Sequence, residues 1–121
     1  MQTVLRICLV LSLLAAFSSC AKYDRRVSVA DVKKEEIVVL RKEPNQGNVY
    51  GISIRGSGNI DGEARIAWML DGKPYKTKPL KKKVKFSWGG DWYSDTAEIH
   101  YEPVRVSRGE LIIEYQFSTL E

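Results

Sequence analysis

The sequence predicts an all-β protein, a small antiparallel β-sandwich of about seven or eight strands, with a small β-barrel as the alternative. Three observations carry that expectation: from Glu35 onward apolar and polar residues alternate at period two, turn-forming residues separate the apolar segments at short intervals, and no stretch beyond residue 35 holds a helical period. Ile37-Val38-Val39-Leu40 is a continuous apolar run and predicts a strand covered on both faces. Residues 48–55 follow, with Tyr50, Ile52 and Ile54 on one face. The glycine-rich stretch 56–63 reads as a hairpin connection, and residues 63–70 then set Ala64, Ile66, Trp68 and Leu70 on one face. Asp71-Gly72 predicts a two-residue type I′ turn, after which residues 74–80, with Pro74 and Pro79, return as an edge strand. Residues 82–88 turn Val84, Phe86 and Trp88 inward and lysines outward. In residues 96–102, Ala97, Ile99 and Tyr101 oppose Glu98, His100 and Glu102. Pro103 is expected to interrupt, 104–107 to form a brief edge strand, and Arg108-Gly109 to turn into 110–118, with Leu111, Ile113, Tyr115 and Phe117 inward.

The amino terminus has a different character. Arg6 is the sole charge of the first nineteen residues, and an apolar run over 7–17, broken only by Ser12, leads through Ser18 and Ser19 to Cys20. A membrane-spanning helix needs roughly 20 apolar residues, so this run is too short to span. A charged start, a short apolar middle and small residues at the end are the order of an export signal. With a cysteine at the cleavage point, Phe17-Ser18-Ser19-Cys20 resembles the lipobox of bacterial lipoproteins, with Phe17 where that family usually has Leu. The resemblance implies removal of residues 1–19, acylation of Cys20 and attachment to a membrane. Ala21 in place of Asp after the cysteine implies the outer membrane, facing the periplasm, in a Gram-negative cell. Residues 20–34 are then the lipidated cysteine and a polar tether, either free along its length or with its distal end ordered against the fold, and 35–121 the β domain.

Charge and cysteine usage narrow the function. Losing Arg6 from 19 Lys and Arg leaves 18 against 15 acids, a mature net charge of +3. Seven lysines (Lys73, Lys76, Lys78, Lys81, Lys82, Lys83 and Lys85) and no acid lie between Gly72 and Gly90, so the rest of the mature chain carries about −4. This patch is a candidate surface for anionic headgroups or an acidic partner, or else a guard against edge-to-edge pairing. No arginine interleaves the lysines and Tyr75 is the lone aromatic among them, which argues against nucleic acid. Cys8 falls in the signal and Cys20 is committed to lipid, leaving no disulfide and no cysteine-based metal site.

The stretch Trp88-Gly89-Gly90-Asp91-Trp92-Tyr93-Ser94-Asp95 is the candidate binding loop: Trp88, Trp92 and Tyr93 beside Asp91 and Asp95 suit a protein partner or a sugar ring. The competing reading makes Trp88 and Trp92 end plugs of the sandwich. His100, between Glu98 and Glu102, is the only histidine; without a free thiol or a nucleophile motif beside it, no catalytic residue is assigned. The acids of 56–63 number two and match no calcium loop, so no metal and no cofactor is expected. The resulting expectation is a lipid-anchored, non-catalytic binding or scaffolding module of the cell envelope. Its alternatives are a peptidoglycan- or lipopolysaccharide-binding module and an inhibitor or immunity-type lipoprotein.

Overall fold

A computed structural model describes residues 23–120. Residues 1–19 and Cys20, with the expected signal and acylation site, lie outside the described residues. The described chain is all-β: β1 Arg25–Ser28, β2 Glu36–Arg41, β3 Asn48–Leu70, β4 Lys73–Asp91 and β5 Thr96–Leu120. They form one antiparallel sheet in the order β1-β5-β3-β4, with β2 also paired to β5 beyond β1. β4 pairs with β3 alone, so the sheet is not closed into a barrel. The strand number corrects the expected seven or eight to five, because three long strands run straight through positions read as breaks.

Those strands fold over as they run. Trp88 on β4 stands opposite Ile54 on β3, and Trp68 lies fourteen residues further along β3, a span of about 46 Å if the strand were straight. The Trp68 and Trp88 rings nevertheless stack with centroids 6.2 Å apart. The sheet is therefore bent near its middle, and its halves face each other across a single core. One half holds Ile52, Ile54, Phe86, Leu111 and Ile113; the other holds Ala64, Ile66, Trp68, Ile99 and Tyr101.

The bend is made by bulges. Opposite β4, the β3 register slips between Ile60 and Glu63; opposite β5, it slips at Asp61/Gly62 and again at Glu63/Ala64. Extra residues on one strand raise the local twist and turn the ladder without ending it. Gly62 sits at the corner with φ 131°, and Lys82 takes φ 53° on the facing strand. The stretch 56–63 is thus a bent strand and not a hairpin connection. Pro103 does not interrupt β5 either. It pairs with Ala64 on one side, while β2 and β1 occupy the other side of β5 only at 96–101 and 112–115, so Pro103 falls in the gap where β5 is locally an edge.

One further expectation changes. Ile37 and Val39 are exposed, because β2 is an edge strand with only Val38 and Leu40 facing the core. The distal part of the segment read as tether lies against the fold: Val27 pairs with Ile113, Val29 and Val32 are buried, and the Val29 N–H donates to the Leu111 carbonyl at 3.0 Å. Only Val27 and Val29 alternate there, too few for a visible period. The edge position of β4, with Pro74 and Pro79, is as expected, and so is the Asp71-Gly72 turn, whose φ values of 51° and 76° are both positive.

Tyr101 ties the β1–β2 connection to the core, its buried hydroxyl donating to the Val32 carbonyl at 2.6 Å. Burial, and secondarily the Asp31 carboxylate, push its pKa above the ordinary 10.0. The folded state then keeps the phenolic proton after the unfolded chain has released it. Stability is accordingly insensitive to this group below about pH 10 and falls as pH rises beyond it. Tyr101→Phe is expected to cost about 1–3 kcal/mol near neutrality, since the Val32 carbonyl loses its partner. The variant should also flatten the alkaline decline, as checked by urea unfolding at a series of pH values. An unchanged alkaline slope would remove Tyr101 as its source.

Candidate functional site

At one end of the bent sheet, the β3–β4 hairpin meets the β4–β5 loop. β4 continues through Gly89 and Gly90, which pair with Ser53 and Ile52, to Asp91. The expected eight-residue loop is therefore only residues 92–95, and Trp88 belongs to the strand. Trp88 packs on Phe86 at 4.7 Å as well as on Trp68. Trp92 is buried; its ring lies 5.1 Å from Trp68, its indole N–H donates to the Thr96 carbonyl at 2.9 Å, and its backbone N–H to the Tyr50 carbonyl at 3.2 Å. Both tryptophans thus pack against the core, Trp92 buried and Trp88 partly buried.

Tyr93 is the aromatic member of the loop that reaches solvent, 78% exposed, beside the exposed Ser94 and Asp95. Its neighbours are fixed: Trp92 as described, and Asp95 through the Lys42 N–H to its carbonyl at 3.1 Å and the Lys42 ammonium to its carboxylate at 3.3 Å. Across from it stands Tyr75, the residue inserted where the β3–β4 register shifts between Trp68 and Met69. A bulge re-aims the side chain it carries. Tyr75 is 48% exposed, yet its ring meets buried Trp68 edge-on at 5.1 Å. Tyr93, Tyr75, Leu70, Asp91 and Ser94, with the edge of Trp92, line a recess of about 330 Å³. Periodicity put Leu70 and Tyr50 on the core-facing side. Both are exposed, Leu70 at the hairpin and Tyr50 as the extra residue where the β3–β5 register slips. Tyr75 and Leu70 were missed as site residues; the bulge that turns Tyr75 outward leaves no mark in the sequence beyond the nearby Pro74.

The seven lysines do not share one surface. Lys78, Lys81, Lys83 and Lys85 line a groove where β4 bends, Lys82 lines an adjacent hollow with Arg108, and Lys73 and Lys76 lie towards the hairpin. Lys81 is paired with Glu63 at 3.2 Å, and the Lys76 ammonium lies 5.2 Å from the Tyr75 ring. His100 faces outward beside a groove bordered by Arg65, Met69 and Glu102. Its Nε2 is 3.7 Å from Glu98 Oε1, beyond hydrogen-bond range, and has no hydrogen-bond partner among the described residues.

No protein-family model and no curated protein matches the chain. Among solved structures it is similar to dimeric latent PorU of Porphyromonas gingivalis, at 11% identity and TM-score 0.42, over 81% of this chain and 11% of that one. It is also similar to a chain from Bacillus endospore appendages described as disulfide-linked pili, at 11% identity and TM-score 0.40, over 84% of this chain and 96% of the other. A third is the carbohydrate-binding module CBM36 in complex with calcium and xylotriose, at 12% identity and TM-score 0.36, covering 78% and 89%.

Proposed function

We propose that the protein is a lipid-anchored module of the bacterial cell envelope, held by acylated Cys20, that binds a partner protein through the Tyr93–Tyr75 recess without catalysing a reaction. In a Gram-negative cell it would sit on the outer membrane, facing the periplasm. The observation that carries the binding reading is Tyr93, an exposed aromatic side chain on a four-residue loop held in place on both sides. Binding costs the freedom of the loop as well as that of the side chain, and a backbone fixed beforehand removes the first of these costs. Tyrosine beside leucine, with a polar rim of Asp91 and Ser94, has the make-up of an interface anchor.

Tyr93→Ala is expected to abolish recovery of the partner on co-purification from envelope extracts. The melting curve should stay unchanged, since the side chain is solvent-exposed. Full partner recovery with Tyr93→Ala would rule the recess out. A glycan is the second reading, favoured by Asp91 beside two tyrosine rings, where a carboxylate can accept sugar hydroxyls. Tryptophan fluorescence titrated with peptidoglycan fragments separates the two, because Trp92 borders the recess: a saturable change lost in Tyr93→Ala supports the sugar, and a flat trace removes it.

A further inference from the structure

The chain enters the fold beside the most cationic part of the surface. Tyr23, the first described residue, lines a broad groove on the outer face of the sheet together with Arg55, Lys78, Lys83 and Lys85, and its ring lies 4.3 Å from the Arg55 guanidinium carbon. Cys20 is three residues upstream, and three residues of fully extended chain reach about 10 Å. Whatever holds Cys20 therefore holds this groove next to it.

The groove owes its charge to the bend. Lys83 and Lys85 alternate outward from the arm of β4 that buries Val84 and Phe86, while Lys78 arrives from the other arm, across the turn at Lys82. None of the three forms an ion pair among the described residues. Two acids border the groove: Glu114, engaged by Arg55 at 3.1 Å, and Glu110. The three ammoniums are thus left for an outside anion. Repulsion among them is relieved by a surface that carries many negative charges, which a bilayer supplies within the reach of the chain.

We propose that this groove docks the domain on anionic phosphate-bearing lipid headgroups, those with a net negative charge, of the membrane that holds Cys20, an inference that rests on the lipid-anchor reading for its orientation. The recess of Tyr93 and Tyr75, which none of the groove residues lines, is then left open to a partner.

The test uses the lipid-free domain, residues 21–121, whose core lies wholly between Val29 and Phe117, so its readout does not depend on acylation of Cys20. It is sedimented with vesicles of phosphatidylethanolamine with and without phosphatidylglycerol. Binding is expected only with phosphatidylglycerol and should weaken with added salt. Lys83→Gln with Lys85→Gln should lower the partition about 25-fold, at about fivefold for each near-surface lysine. Arg41→Gln with Lys73→Gln removes the same charge outside the groove and should change it by no more than about twofold. Equal losses in the two double variants, equal binding to both vesicles, no binding, or displacement by glycerol phosphate at matched ionic strength would each overturn the proposal.

Discussion

Trp68→Ala is expected to lower the stability of the domain by about 3–5 kcal/mol, the usual cost of truncating a buried tryptophan. A domain of this size has about 5–15 kcal/mol in all, so one substitution removes roughly a fifth or more of it. The residue is fully buried on the second half of the sheet, and its ring touches Trp88 from the first half, Trp92 from the loop and Tyr75 from the hairpin. Deleting it leaves a cavity where the two halves meet, and the three surrounding aromatics cannot close it together. Trp68→Phe is expected to cost much less: it keeps an aromatic ring, and the Trp68 indole N–H has no hydrogen-bond partner among the described residues. Urea unfolding followed by circular dichroism measures both. A cost below about 1 kcal/mol for Trp68→Ala would mean that the two halves do not depend on this ring.

Gly62→Ala should be nearly as damaging, although it adds only one methyl group. Gly62 occupies the corner of β3 with φ 131°, a conformation that side-chain-bearing residues rarely adopt and that costs on the order of 1–3 kcal/mol in strain. A Cβ there would also run into the Arg105 carbonyl of β5, a backbone atom that cannot rotate aside. Relief requires opening the β3–β5 ladder where it bends. We expect a loss of about 3 kcal/mol or more, which for a domain of this length lowers the melting temperature by roughly 12 °C or more. A melting temperature within a few degrees of the parent would show that the corner tolerates a side chain and that the bend is not built on Gly62.

The strands themselves were legible because alternation survives in the long elements: Val84, Phe86 and Trp88 against Lys83 and Lys85, and Leu111, Ile113, Tyr115 and Phe117 against their polar neighbours. The bends were not. Gly56, Gly58 and Gly62 look the same in sequence whether the chain reverses in a hairpin or stays extended and turns a corner, and the choice depends on the partner strands. The same hidden bend decides which lysines converge, since Lys78 reaches Lys83 and Lys85 only because β4 doubles over. At the recess, Trp92 and Tyr93 are adjacent aromatics with opposite fates. Beyond Asp91 the strand has ended, and hydrogen bonds to Tyr50 and Thr96, remote or out of phase in sequence, send Trp92 inward. Tyr75 lay hidden for a related reason, because the register shift that turns it outward belongs to the pairing and not to the residue.

The measurement closest to the central claim is site-specific photocrosslinking in living cells, with benzoylphenylalanine placed at position 93 and, for comparison, at position 77 on the outer face of β4. The account predicts one discrete adduct from position 93, lost when Tyr75→Ala is introduced on the opposite wall of the recess, and none from position 77. No adduct from position 93, or one of equal strength from position 77, would contradict the assignment of the recess as the binding site.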